Sequence, residues 1–287
     1  MKKIIVISLI ASASLFAFDM ENIHGEIIVG GGIGKSNDNL STYGTNNKDF
    51  NKNKANAAIM GSIEISDFEL SLGQESLVKV LYNVNNDISV YAGYDSGETW
   101  ENPFIAKNSR KTTDVTNIYG GINYKALDWL ELGYNLENQK IKSETVHAND
   151  KRSGNIHTLL ATVPHELSND ILVLNTLEYN LGKFDGKNND YNAFGINSEL
   201  QWQVLENTNI KTGISYKQYF FNNKMNYFNK KRDEKTYGVS FGITQEKLFG
   251  YKNLLGYASV NYDNHESNIN FYDTKSTITV IGLGYRF

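Results

Sequence analysis

The last nine residues, Thr279 to Phe287, read TVIGLGYRF, and this stretch decides the fold class. Every second position is apolar, and these positions are Ile281, Leu283, Tyr285 and Phe287. Side chains of a strand alternate between two faces, whereas a helix repeats every 3.6 residues. The stretch therefore predicts a strand with one apolar face. Chain ends are usually polar and frayed, and the mean hydropathy is only -0.44, so this strand needs a partner.

The same alternation recurs along the chain and predicts an all-β protein. Clear examples are the ranges 130–139, 193–204 and 236–244. Only two prolines interrupt the sequence, and proline cannot donate to a sheet. The 18 tyrosines and 14 phenylalanines suit strands. The sequence contains no internal repeat and no linker, which indicates one domain.

The composition of the strand face opposite the apolar one, here called the second face, distinguishes a membrane barrel from a soluble sandwich. This face is rich in glycine, serine, asparagine and glutamine, and glycine weakens a strand whose face meets bulk water. Apolar stripes of about ten residues cover roughly 25 Å, the height of the apolar band of an outer-membrane barrel. We expect the charged residues of the second face to line the lumen, and they are Lys79, Asp95, Lys125, Glu131, Glu137, Glu178, Glu199, Lys211 and Lys217.

The connections between strands support a transmembrane antiparallel β-barrel. Short links alternate with longer polar ones, as in barrels with short periplasmic turns and long extracellular loops. Trp129 and Trp202 lie beside short links, as an interfacial aromatic girdle requires. The short links are 126–128, 164–170, 205–209 and 246–253, and the long ones are 36–56, 105–113, 144–153, 184–190, 222–235 and 263–275.

The strand count depends on residues 57–84. Nine strands alternate cleanly after Val115, and both chain ends should lie in the periplasm, which requires an even number. Taking 57–84 as one strand gives twelve strands, which we adopt. Splitting it at Ser66-Asp67, where the apolar phase shifts, and again at Gly73–Ser76 gives the alternative of fourteen.

The N-terminus has the three-part layout of a secretory signal peptide. Two lysines precede an apolar run from Ile4 to Ile10, and small residues follow. We expect cleavage after Ala17, with Ala11-Ser12-Ala13 as the alternative site. The barrel domain would then comprise residues 18–287, exported to the outer membrane of a Gram-negative bacterium.

Both ends of the predicted barrel carry a resemblance. The terminal Phe287 with Ile281, Leu283 and Tyr285 resembles the C-terminal signature that the outer-membrane assembly machinery reads in Gram-negative bacteria. The opening HGEIIVGGGIGKSNDNL and the ending NHESNINFYDTKSTITVIGLGYRF are similar to an uncharacterised family of proteobacterial outer-membrane proteins. This resemblance implies fold and location, and it transfers no functional residue.

Charge and lumen composition favour a passive channel for small hydrophilic solutes. The formal charge of -4 becomes -6 without the residues 1–17, which hold Lys2 and Lys3, and this balance argues against a nucleic-acid partner. The lumen carries both signs, which predicts weak ion selectivity. The alternative is that these charges pair across a plugged lumen that nothing crosses.

The histidines are where a barrel hydrolase or a metal site would be found. His147 and His265 are placed in outer loops near acids, His165 in a short turn, His24 at the rim and His157 in an ambiguous strand. No spacing specifies a site. We therefore expect no enzyme, no catalytic, metal or cofactor site and no cofactor.

The long loops offer a third possibility, adhesion or receptor contact at the cell surface. Loop 222–235 contains the basic run Lys230, Lys231 and Arg232, which could contact anionic lipopolysaccharide. Asn175, a polar residue on an apolar face, could mark a subunit contact. The oligomeric state is left open.

Overall fold

The structure is a computed structural model that describes residues 23–38, 54–73, 78–105 and 109–287, with only the backbone of 23–24, 31–38 and 54–60. The expected signal peptide (1–17) and most of the loop 36–56 lie outside these residues. Within the described part of the chain, no helix has the length and apolar character needed to cross a membrane.

Fourteen antiparallel strands form one closed barrel in which each strand pairs with its sequence neighbours and β1 pairs with β14. The strands are β1 (Ile23–Asp38), β2 (Lys54–Ile65), β3 (Phe68–Leu72), β4 (Val78–Asn83), β5 (Ile88–Trp100), β6 (Thr112–Leu127), β7 (Leu130–Ile141), β8 (Gly154–Ser168), β9 (Ile171–Phe184), β10 (Tyr191–Leu205), β11 (Thr208–Met225), β12 (Lys230–Gln245), β13 (Leu254–Ser267) and β14 (Thr274–Arg286). Short 3-10 helices lie at Ala148–Asp150, Lys187–Asn189, Leu248–Gly250 and Asn270–Tyr272. The predicted all-β transmembrane barrel is confirmed.

The C-terminal stretch forms the seam of the barrel. Residues 274–286 pair with β1 on one side and β13 on the other, with Leu283 opposite Val29. Phe287 and Gly25 exchange two backbone hydrogen bonds of 3.0 and 2.9 Å. Closure leaves no strand edge unpaired at this seam, which is what a membrane requires of a sheet.

The apolar stripes lie on the outer surface. Leu177, Ile214 and Ile281 are each 60 to 65% exposed, although all three are large and apolar. In a transmembrane barrel this surface contacts lipid rather than water. Leu283, Tyr285 and Phe287 of the C-terminal signature are exposed on the same outer surface.

The strand count of twelve is wrong, and the alternative of fourteen is correct. The first break lies at Ser66-Asp67, where Ser66 has a positive φ of 53° and Ile65 pairs directly with Phe68. This two-residue turn shifts the apolar phase by one position. β3 and β4 have only five and six residues, so both fit, after the end of β2, in the range 57–84 that we assigned to one strand.

Several predicted links belong to strands. Within the predicted link 222–235, only residues 226–229 form a turn, because β11 extends to Met225 and β12 begins at Lys230. Likewise β13 extends through His265 to Ser267, and β8 contains both Pro164 and His165. These segments are polar on both faces where strands continue beyond the apolar band, so alternation does not reveal them.

Pro164 is tolerated in β8 for a topological reason. The pairing of β8 with β7 ends at Thr162, whereas the pairing with β9 continues to Ser168. Pro164 therefore lies where β8 has a neighbour on one side only, a position that a residue without an N–H group can occupy.

Candidate functional site: a capped polar lumen

The barrel encloses two polar cavities of about 980 and 970 Å³. The first, here called the turn-side cavity, is bounded near the short turns by Glu26, Asp170, Glu246 and Arg286. The second, here called the tyrosine cavity, is lined by Tyr91, Tyr119, Tyr191 and Tyr219 among other residues. Both volumes are in the range of small-molecule sites.

Eight of the nine residues expected to line the lumen line one of these cavities, and Lys125 lines neither. Glu199 and Lys211 line the turn-side cavity, where they form an ion pair of 3.1 Å. Lys125 lies at the end of β6, where its ammonium group is 2.9 Å from Asp128. The same hydrogen bond lowers the pKa of the exposed Asp128 carboxyl group. The tyrosine cavity contains Lys79, Asp95, Glu131, Glu137, Glu178 and Lys217.

The cavity walls carry more negative than positive charge. Nine carboxylates and four cationic side chains line the two cavities. The residues that sequence reasoning did not assign to the lumen are Glu26, Glu166, Asp170, Glu246 and Arg286. They lie at strand ends, where alternation is too short to assign a face.

A hydrophobic cluster, here called the cap cluster, lies among the described outer connections. It consists of Phe104, Met225, Ile269 and Phe271, all buried. The ring of Phe104 stacks on Tyr227 at 4.1 Å and on Phe271 at 5.4 Å, measured between ring centroids. Partly buried residues that pack against the cluster are Val146, Phe228 and Tyr272.

The cap cluster joins loops from nearly opposite sides of the barrel. Phe104 follows β5, whereas Tyr227 and Phe271 lie in the β11–β12 and β13–β14 connections. Those connections are six or more strand positions from the β5–β6 connection in either direction around the ring. The contacts of Phe104 with Tyr227 and Phe271 therefore span the width of the barrel. Asn102 fixes the Phe104 side of the cap by donating a 2.9 Å hydrogen bond to the carbonyl of Thr145.

Arg232 is a buried charged residue. Its guanidinium group lies 3.6 Å from the ring centroid of Phe221 and 4.2 Å from that of Tyr272. It also forms an ion pair of 3.1 Å with the buried carboxylate of Glu234. Burial raises the pKa of Tyr272 to about 12. Tyr272 therefore stays protonated, and the arginine lies against a neutral ring.

Asp150 is the most buried acid of the cap. Its side chain is fully buried, and one oxygen accepts a 2.8 Å hydrogen bond from the amide of Asn188. Asn189 donates to the Asp150 and Lys151 carbonyls at 2.9 and 3.0 Å. These contacts join the β7–β8 and β9–β10 connections through a hydrogen-bonded network. These two connections and the cap cluster together are here called the cap.

The histidines form no catalytic arrangement within the described residues. His265 is 3.1 Å from Glu234 and 2.7 Å from the hydroxyl of Thr236, while Glu266 bonds Asn264. Consecutive residues of a strand point to opposite faces, so His265 and Glu266 lie on opposite faces of β13. His147 contacts Asn149 and Asn226, and no cluster of three potential metal ligands occurs in the ranges that the structure describes.

The other two described histidine side chains lie in the wall. His157 and the hydroxyl of Tyr134 are 2.8 Å apart, and the exposed His165 lies near the turn-side end of β8. The backbone of His24 pairs with that of Glu64. Asn175, proposed as a subunit contact, accepts a 2.9 Å hydrogen bond from Ser198 of the adjacent strand.

Sequence reasoning missed the buried ion pair of the cap because it placed Arg232 in an exposed loop. The signal was present, since Arg232 and Glu234 continue the inward phase of Thr236 and Gly238 by steps of two. Extending the β12 alternation outward would have found both residues.

A solved structure whose TM-score exceeds 0.5 supports the barrel fold. A bacterial polysaccharide outer membrane secretin superposes with a TM-score of 0.53 at 9% identity, covering 92% of this chain and 98% of that chain. The CymD monoaromatic hydrocarbon channel gives 0.49 at 13% identity, covering 93% and 88%. OccAB3 of Acinetobacter baumannii gives 0.46 at 9% identity, covering 93% and 100%. At these identities the likeness concerns the fold alone.

No curated protein matches the chain in sequence. A protein family does match, over residues 50–286, which span most of the barrel. Its description is "Protein of unknown function (DUF2860)", which agrees with the expected resemblance to an uncharacterised outer-membrane family. The chain belongs to the DUF2860 family.

Proposed function

We propose that the protein is an outer-membrane channel for small hydrophilic solutes whose outer mouth is gated by the cap. The observation that carries this proposal is the pair of polar cavities inside a closed barrel, beneath loops that meet over one end. Neither cavity offers the wholly apolar lining that a hydrocarbon would prefer. Passage from outside requires the aromatic contacts of Phe104 to open.

The excess of carboxylates makes the proposed channel prefer cations. Rings of acidic side chains favour cations in channels, and nine carboxylates outnumber four cationic groups along the two cavities. This refines the weak selectivity expected from sequence. The preference stays moderate because Glu178 and Glu199 are ion-paired with lysines.

The test is the reversal potential of the refolded protein in a planar bilayer under a potassium chloride gradient. The proposal predicts discrete conductance steps and a reversal potential of the sign that cation preference gives. Anion preference would contradict the assignment of the lumen charges, and a folded barrel without conductance would contradict the channel.

The alternative function is surface contact without conduction, and one observation favours a role for lipopolysaccharide. Lys224 and Lys231 pair across β11 and β12 at the outer rim, and both are exposed. Two cations side by side attract anionic head groups. Arg232, which follows Lys231 in the basic run of the sequence, points inward and does not contribute to this contact.

The lipopolysaccharide contact is tested with Lys224→Gln and Lys231→Gln together. We expect weaker retention on immobilised lipopolysaccharide than for wild type, with Lys252→Gln, an exposed lysine at the turn side, as control. Equal retention of all three proteins would exclude the contact.

We further propose that the signal peptide is cleaved and that the outer-membrane assembly machinery inserts the barrel through its C-terminal signature. The proposed channel has no enzymatic activity.

A further inference from the structure

Two tyrosines of the tyrosine cavity lie flat on its wall because glycines face them across the strand pairs. A Cβ atom added to Gly121 would overlap the ring of Tyr91, and one added to Gly93 would overlap the ring of Tyr119. Any other residue at these glycines would push the rings away. A ring in this position lies along the wall and directs one face to the cavity.

The glycines of the polar strand face thus have a specific role. Tyr191 lies over Gly182 in the same way, at 2.6 Å from the added Cβ atom. The cavity therefore presents several aromatic faces. Such faces attract cations through their quadrupole, and tyrosine is among the better rings for this.

Within the described residues, two carboxylates that form no ion pair and two amide oxygens that accept no hydrogen bond line the same cavity as these rings. Among the described residues, no lysine, arginine or histidine forms an ion pair with Asp95 or Glu137, both of which line the cavity. The side-chain carbonyl oxygens of Asn117 and Asn135 also accept no hydrogen bond from the part of the chain that the structure describes. Both asparagines line the same cavity and add to its negative potential.

The cavity already holds an ammonium group of its own in this manner. The Lys217 nitrogen is 2.6 Å from the Glu178 carboxylate and 5.7 Å from the ring centroid of Tyr219. Glu137 lies directly opposite Tyr119 in the pairing of β6 and β7, which places a carboxylate beside a tyrosine a second time. Here no described cation forms the ion pair.

We propose that the tyrosine cavity binds small primary amines, linear diamines above all, with an ammonium group at Glu137 and Tyr119. The inference rests on the proposed channel function, for which it names the solute class. A ligand that only donates hydrogen bonds and carries positive charge matches a wall of carboxylates, amide oxygens and ring faces. A neutral polyol of the same length lacks the charge that these groups select.

The test is isothermal titration calorimetry on the full, detergent-solubilised barrel with 1,4-diaminobutane, and 1,4-butanediol as neutral probe. Wild type is expected to bind the diamine and not the diol. Glu137→Gln should weaken diamine binding about tenfold, because a charge-assisted hydrogen bond is lost. Tyr119→Leu should weaken it about threefold through the lost ring face.

The matched control is Glu98→Gln, which removes a carboxylate from an exposed position of β5 outside both cavities. Equal weakening by Glu98→Gln and Glu137→Gln would overturn the inference, since only net charge would then matter. No diamine binding by folded wild type would overturn it as well.

The outcomes also separate this inference from the channel. A barrel that conducts ions but binds no diamine overturns the amine site alone. A barrel that binds diamine with the expected loss in Glu137→Gln, but is silent in bilayers, supports the amine site and overturns the channel.

Discussion

At Arg232, a guanidinium group lies between two aromatic rings and beside a carboxylate, all of them largely buried. Removing one partner of a buried ion pair leaves the other charge without compensation. We therefore expect Arg232→Leu to lower the free energy of unfolding by about 3 kcal/mol. Urea unfolding in phospholipid vesicles measures it.

The neighbouring Lys231→Leu is the control for Arg232→Leu, since Lys231 is exposed and forms no ion pair with any described residue. It should change stability by less than about 0.5 kcal/mol. Equal losses for the two variants would show that Arg232 does not stabilise the cap.

The glycines beneath the tyrosines give a second prediction at this scale. Gly121→Ala displaces the Tyr91 ring and should cost about 1 to 2 kcal/mol of unfolding free energy, as overpacking does. Gly97→Ala, on β5, meets only Val115 at 3.7 Å and should be neutral or slightly stabilising. Urea titration of both variants distinguishes them, and a neutral Gly121→Ala would refute the close approach.

Alternation along the sequence predicted which charged residues share a face, but not which tyrosine lies over which glycine. Tyr119 meets Gly93 because the register of β5 and β6 places them opposite each other. Register is fixed by turns and by the burial of whole strands, so it is not encoded in either strand alone. The amine site could not be assembled from the sequence for this reason.

Among the elements, the β3–β4 hairpin departs most from the expected pattern. Its strands are too short to give a full alternating stripe, and the apolar phase changes at Ser66, in the turn before β3. Strand detection by period needs about four to eight alternating residues, so these two short strands are easily read together with the end of β2 as one. The stacked rings of Phe68 and Tyr82, 4.5 Å apart, reinforce the pairing of the two strands.

Each long strand has one lipid-facing side and one lumen-facing side, and this assignment gives a prediction for single strands. Leu177→Arg, on the lipid-facing side of β9, should lower the unfolding free energy by about 2 to 4 kcal/mol, the cost of a cation at the bilayer midplane. Gln201→Arg points into the turn-side cavity of the neighbouring β10 and should cost much less. Urea unfolding in vesicles measures both losses. A larger loss of unfolding free energy for Gln201→Arg than for Leu177→Arg would contradict the assignment of the two faces.

At the scale of the whole molecule, the barrel was predictable and the cap was not. Period-two alternation, few prolines and an apolar end strand follow from the chemistry of a wall between lipid and water. The cap cluster depends on contacts between residues as distant as Phe104 and Phe271. Such contacts arise only when the closed barrel brings its connections together above the lumen.

Gating of a conducting lumen by the cap is tested by comparing the single-channel conductance of Phe104→Ala/Phe271→Ala with that of wild type. Tyr251→Ala, an exposed aromatic at the turn side, is the control. Gating by the cap predicts rare or small openings for wild type and for Tyr251→Ala, and larger, longer openings for the Phe104→Ala/Phe271→Ala variant. Equal conductance of the three folded barrels, or silence in all of them, would contradict it.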